Sequence, residues 1–245
     1  MLNPRAHCCH CAGRCRCLCE GLRKRGLLSV DPRLPVCMRS SPRTPPVPTS
    51  GSASRLKAPK WPMGIPRLHM PRAAPSRSVL KLDEALLTFL SGEKRQQLLR
   101  PGMLAIDLGA APGGWTWLLA SMGLRVIAVD NGRIAPAVMQ LETVEHRRMD
   151  GFKFHPPRGV DWLVCDIIEQ PQRVADRLGV WFAKRWCKRA IFNLKLPMKK
   201  RYAALLQAQA TFEKALSGRR YELQFRQLYH DREEVTGFYQ DLQIG

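Results

Sequence analysis

Acidic residues are nearly missing from the first third of this 245-residue chain, where residues 1–77 hold 2 Asp and Glu against 15 Lys and Arg. Twelve of the 19 prolines fall in the same stretch. Such a segment cannot bury enough apolar surface to offset the entropy of ordering it. Residues 1–70 are therefore expected to be a disordered basic segment, with a domain over 71–245. Long hydrophobic runs are lacking too. No stretch approaches the ~20 apolar residues of a membrane span, so no membrane partner is expected. Arginines near Met1 interrupt any secretory apolar core. The leader is Arg-rich and acid-poor like a transit peptide, but its cysteines and prolines spoil an amphipathic helix.

The cysteines lack the spacing of a complete metal module. Cys8, Cys9, Cys11, Cys15, Cys17 and Cys19 crowd the amino terminus with His7 and His10. Cys8 and Cys11 are spaced like zinc ligands, but no second pair completes the site, and no metal is expected. Within the domain lie only Cys165 and Cys187. Reduced thiols and a cytoplasmic location follow.

A dinucleotide fingerprint is also absent. Residues 106–115 read Ile-Asp-Leu-Gly-Ala-Ala-Pro-Gly-Gly-Trp, and Ala111 stands where G-x-G-x-x-G needs its second glycine. What is present is a strand, a glycine turn and a helix opening at Trp115, with Gly109, Gly113 and Gly114 removing side chains at the bend. Asp130 ends the next apolar run, Arg125 to Val129, where a carboxylate can accept hydrogen bonds from both hydroxyls of a ribose. These residues imply a nucleoside-bearing cofactor without requiring a pyrophosphate. The net charge of +20, of which +7 lies beyond residue 77, points to a polyanionic partner.

From residue 78 helical and strand patterns alternate, which implies an α/β fold with a parallel sheet covered on both faces. Helices are expected over 79–90, 114–122, 135–141, 171–188 and 198–216. Strands are expected over 103–107, 125–129, 144–149, 162–165 and 190–194, with a final pair over 220–229 and 234–239. Asp107, Asp130, Asp150 and Asp166 each close an apolar strand, so the fold should gather all four along one sheet edge. Each alone could be a cap or turn residue. Lys195 ends the apolar run Ile191–Leu194. It reads either as a lysine snorkelling to solvent or, if desolvated beside a second cation such as Lys81, as a base at neutral pH. An adjacent carboxylate would oppose that change while fixing the amine in place.

Four segments together resemble the FtsJ-like ribose 2′-O-methyltransferases, most nearly the RlmM type that modifies a cytidine of 23S ribosomal RNA. They are Ser78–Glu84, the DLGAAPGGW turn, Val164-Cys165-Asp166 and Asn193–Tyr202 (NLKLPMKKRY). Gln227–Thr236 (QLYHDREEVT) matches the same subfamily's carboxyl-terminal motif. The resemblance spans about residues 71–236. It implies a Rossmann-like class I methyltransferase fold, mostly parallel with a final antiparallel strand. It also implies S-adenosyl-L-methionine as cofactor and 23S ribosomal RNA, before full subunit assembly, as partner.

By motif match the resemblance implies a tetrad of Lys81, Asp166, Lys195 as base, and Glu233 or Glu234, with Glu234 preferred because it directly precedes the Val235 strand. It assigns cofactor contacts to Ser78, Ala111, Pro112, Gly113, Gly114, Asp130, Asp150 and Asp166. Asp130 would hold the ribose and Asp150 the adenine amino group. Lys199, Lys200 and Arg201, at the start of a helix, are expected to contact phosphates. Two departures are visible. Residues 1–70 do not resemble the amino-terminal RNA-binding region with its THUMP domain, and Gly237–Gly245 does not continue the family's last strand. A truncated or frame-disturbed product and a short or frayed final strand are therefore expected. The alternatives are a non-catalytic domain that binds RNA or cofactor, and a nucleotide-dependent oxidoreductase, which the missing glycine spacing disfavours.

Overall fold

The structure is a computed structural model that describes residues 61, 64–90 and 92–243. The chain divides into Met1–Pro66 and Arg67–Gly245, and all the elements below belong to the second unit. The cysteine cluster and nearly all of the segment expected to be disordered lie outside the described residues.

In chain order the elements are α1 (Val79–Phe89), α2 (Gly92–Leu98), β1 (Leu104–Leu108), α3 (Gly114–Ser121), β2 (Arg125–Val129), α4 (Pro136–Met139), β3 (Val144–Arg147), β4 (Val160–Cys165), α5 (Pro171–Ala183), β5 (Cys187–Lys195), α6 (Arg201–Ala215), β6 (Tyr221–Arg226) and β7 (Glu234–Asp241). The sheet has seven strands in the order β3-β2-β1-β4-β5-β7-β6. Strands β1 to β5 are mutually parallel, and β7 runs antiparallel to both β5 and β6. The strand order reverses between β1 and β4, and open α/β sheets bind ligands in the crevice beyond the carboxyl ends of the strands at such a reversal.

The two sheet faces have separate cores. Alternation along the strands sends Ala105, Val126, Trp162, Val164, Ile191 and Phe238 to one face, where they pack with Val79, Leu82 and Leu86 of α1 and Trp115, Leu118 and Leu119 of α3. On the other face an aromatic group joins α5, α6 and the sheet. The Phe182 and Tyr239 rings stack at 3.9 Å, and Phe192 and Phe212 lie 5.4 Å apart. The α1 register is anchored where the Trp115 indole N–H donates to the Ser78 carbonyl at 2.9 Å.

Several expected boundaries move. Helix α2 was not expected, because Gly-Glu-Lys-Arg-Gln-Gln-Leu carries no apolar stripe and none of its residues is buried. Helix α5 ends at Ala183 rather than continuing to 188. Arg185 adopts φ 53°, which ends the helix, and Cys187 already pairs with Val160 in the sheet. Helix α6 begins at Arg201 rather than 198, because Lys200 precedes it at φ 58°. The final strand is neither short nor frayed. β7 has 8 residues, almost all buried, and lies between β5 and β6. Gly237 permits this, since a Cβ there would lie 2.3 Å from Phe192 Cζ on the facing strand.

Candidate active site

Sheet register alone collects a polar row beneath α1. In β5 and β7, Asn193 faces Thr236 and Lys195 faces Glu234. In β4 and β5, Val164 pairs with Ile191 and Cys165 with Phe192, so Asp166 emerges beside Asn193. These side chains share the parity of Ile191 and Phe238, the face that α1 covers. Lys81 on α1 closes the group from above. Its Nζ donates to Glu234 Oε1, and Lys195 Nζ lies 3.6 Å from the same oxygen. Lys195 Nζ also donates to Asp166 Oδ1, which accepts a second hydrogen bond from Asn193 Nδ2 at 3.0 Å. The four charges therefore form one continuous row, Lys81–Glu234–Lys195–Asp166.

The row is partly withdrawn from water, with side-chain exposures of 18% for Lys81, 7% for Glu234, 21% for Lys195 and 17% for Asp166. Burial by itself would raise the Glu234 carboxyl. The hydrogen bond from Lys81 and the charges of Lys195 and Lys81 outweigh it and hold Glu234 below the usual carboxylate range. Glu233 is not part of the row; it is exposed and pairs with Arg201.

A buried relay that sequence reasoning missed supports the row from behind. The Thr236 hydroxyl lies 2.9 Å from Asn193 Oδ1 and 2.9 Å from Asp231 Oδ2. One hydroxyl can donate to only one of these acceptors. Thr236 can thus donate to the Asn193 carbonyl or to the Asp231 carboxyl, whose Oδ2 also accepts the Leu228 N–H. Burial, opposed by hydrogen bonds from Leu228 and Thr236, pushes Asp231 up to about 6. The signal for this relay was an asparagine inside the otherwise apolar run Ile191–Leu194.

A cavity of about 460 Å³ opens next to Asp166, at the carboxyl ends of β1, β2 and β4. Its walls include Ala111, Asp130, Asp150, Phe152, Asp166, Ile167 and Arg173. Of the expected cofactor contacts, Ala111, Asp130, Asp150 and Asp166 line it, whereas Ser78, Pro112, Gly113 and Gly114 are not among its lining residues. Ser78 instead packs on Gly114, where a Cβ would come within 2.4 Å of its hydroxyl. Each Asp130 oxygen accepts one backbone N–H, from Gly132 at 2.6 Å and from Ala111 at 3.0 Å. That leaves a lone-pair site on both for further donors. Asp150 Oδ1 accepts the Phe152 N–H at 2.8 Å, and the Arg173 guanidinium covers the Phe152 ring at 4.8 Å. Gly109, at φ 80°, is held so close to Ile167 that a Cβ would approach its Cγ1 to 2.7 Å.

Asp107 departs from the expected edge of four carboxylates. It lies within β1 rather than beyond it, and at 1% exposure it points under α3, where the Thr116 hydroxyl donates to Oδ2 at 2.7 Å. Its Oδ1 has no hydrogen-bond partner. Arg201 also differs from expectation, since it is committed to Glu233 while Lys199 and Lys200 stay exposed. Among the described residues no group of three His, Cys, Asp or Glu side chains is arranged to hold a metal ion, and no helix is long and apolar enough to cross a membrane.

Comparison with known proteins fits this geometry. Residues 74–228 match the family model described as FtsJ-like methyltransferase. The chain is 56% identical over 179 residues to the ribosomal RNA large subunit methyltransferase M of Azoarcus sp. (strain BH72), covering 73% of this chain and 49% of that one. It is 59% identical over 179 residues to the protein of that name from Aromatoleum aromaticum, with coverage of 73% and 49%. A third, from Xylella fastidiosa (strain M12), is 48% identical over 220 residues, with coverage of 88% and 61%. The chain thus spans about half the length of the curated relatives it matches. The seven-stranded sheet with its one antiparallel strand is the Rossmann-like methyltransferase architecture that the sequence implied. The chain belongs to the FtsJ-like methyltransferase family.

Proposed function

We propose that this chain transfers a methyl group from S-adenosyl-L-methionine to a ribose 2′-hydroxyl of large-subunit ribosomal RNA. The target is a cytidine of the 23S molecule, modified before the subunit is fully assembled. The observation that carries this reading is the unbroken row Lys81–Glu234–Lys195–Asp166 beside a cavity bordered by Asp166 itself. The relatives' names supply the substrate class, large-subunit ribosomal RNA.

The cavity residues fit this cofactor. A volume of about 460 Å³ lies within the range of small-molecule sites. Asp130 retains acceptor capacity for ribose hydroxyls, Asp150 for an exocyclic amine, and Phe152 and Ile167 provide apolar wall for a purine. When bound, S-adenosyl-L-methionine supplies an activated sulfonium methyl group.

The protein's own residues then have two tasks: to hold the acceptor and to remove its proton. Lys195, in its amine form, takes the proton of the 2′-hydroxyl as the oxygen–carbon bond forms and the carbon–sulfur bond breaks. Asp166 and Glu234 fix Nζ from two sides, and Asn193 fixes Asp166. Lys81 balances Glu234, so the row carries one net negative charge with Lys195 as the amine and none once Lys195 has taken the proton. Alignment of this kind contributes much of the rate of a transfer whose donor is already activated. The 2′-hydroxyl also explains a preference for RNA over DNA.

The test is transfer from cofactor labelled in its methyl group to an unmodified 23S transcript, followed by digestion to nucleosides. Label in 2′-O-methylcytidine is the expected result. Label on a base, or none with any large-subunit RNA, rejects the proposal.

A further inference from the structure

The connection from β6 to β7, residues 227–233, is held far more firmly than a surface turn requires. Glu84 lies on α1 one helical turn beyond Lys81 and is only 3% exposed. Its Oε1 accepts the Tyr229 N–H at 2.8 Å, and its Oε2 accepts the His230 N–H at 2.8 Å and the His230 ring at Nδ1, 2.6 Å away. Asp231 Oδ2 accepts the Leu228 N–H at 3.0 Å. The Glu233 carbonyl accepts the Leu196 N–H at 2.9 Å, directly after Lys195, and its side chain pairs with Arg201. A buried carboxylate is tolerated when its oxygens are hydrogen-bonded, and here it anchors a loop whose tip is open to solvent.

That tip is Tyr229, 57% exposed although large and aromatic. The His230 ring braces it edge-on, with centroids 5.1 Å apart at 88°. The loop opens at the same sheet edge as the charged row, since β7 begins at Glu234, opposite Lys195. The bonds from Leu196 and Arg201 to Glu233 set it beside the segment bearing exposed Lys199 and Lys200. An exposed ring on an anchored loop, with basic side chains on the adjoining segment, is the kind of surface that binds single-stranded nucleic acid, with bases stacking on the ring and cations meeting phosphates.

We propose that Tyr229 is a base-stacking platform for the single-stranded RNA segment whose ribose is presented to Lys195, an inference that rests on the RNA methyltransferase reading. Glu84 and His230 are its positioning residues. The probes are a short oligocytidylate and an abasic ribose-phosphate chain of the same length, with equilibrium binding measured for the full chain, Tyr229→Ala and Tyr229→Phe. Tyr229→Ala should bind oligocytidylate about tenfold more weakly and the abasic chain as wild type does, while Tyr229→Phe keeps both affinities. Unchanged binding of both probes by Tyr229→Ala, or equal loss of both, overturns the proposal. Wild-type methyl transfer to 23S RNA, measured in parallel, separates the two readings. Base-dependent binding loss without wild-type transfer rejects only the methyltransferase function, and transfer without that loss rejects only the platform.

Discussion

Replacing Asp107 by asparagine isolates the least comfortable charge in the domain. Burial raises the Asp107 carboxyl from 3.8 to about 7, against the lowering effect of the Thr116 hydrogen bond and with a further push from Asp166 and Asp130. Because the folded state holds the proton more tightly than the unfolded chain, stability falls as pH rises from about 4 to about 7 and then levels off. At about 1.4 kcal/mol per pH unit, that gap corresponds to about 4 kcal/mol at pH 8. Asparagine resembles the protonated acid: its carbonyl can accept from Thr116, and its amide replaces an oxygen that has no partner. Urea unfolding across pH 4.5 to 8.5 should give similar stabilities at the acid end and a growing advantage for Asp107→Asn toward the alkaline end. Asp231, pushed up to about 6, acts with the same sign in both proteins and cancels in the difference. A difference that stays constant with pH would refute the reasoning.

Two further substitutions test the packing and the relay. Gly237→Ala forces a methyl group onto the Phe192 ring, which is wholly buried against Phe182, Phe212 and Phe225. It should lower unfolding stability by about 1–3 kcal/mol, and an unchanged denaturation midpoint would contradict the packing described. Thr236→Val removes the hydroxyl between Asn193 and Asp231 while keeping the side chain's shape. Stability should fall by about 1–3 kcal/mol, and kcat for methyl transfer should fall while cofactor affinity holds. An unaltered kcat would remove the relay from any positioning role.

The parts of this protein that follow from local pattern were readable in the sequence. Short apolar runs ending in Asp130, Asp166 and Lys195 announced the strands, and the glycine turn announced the crevice beyond them. What could not be read depended on register or backbone strain. Nothing local distinguishes Asp107, one residue short of the strand end and therefore turned under α3, from Asp166, one residue beyond it. Arg185 and Lys200 end or begin helices by adopting positive φ, which arginine and lysine do not advertise. Gly237 lay inside the expected strand over 234–239 with no visible role, and it is what lets that strand lie under Phe192. Glu84 sat among the apolar residues of α1 with no visible reason, because its partners, Tyr229 and His230, lie some 145 residues away.

The account centres on Lys195 as the group that removes the acceptor proton. The direct test compares wild type with Lys195→Ala, measuring both transfer of the labelled methyl group to unmodified 23S RNA and calorimetric affinity for S-adenosyl-L-methionine. The account predicts that the substitution abolishes transfer and leaves cofactor affinity within about twofold, since Lys195 is not among the residues lining the cavity. Transfer at the wild-type rate by Lys195→Ala would contradict it.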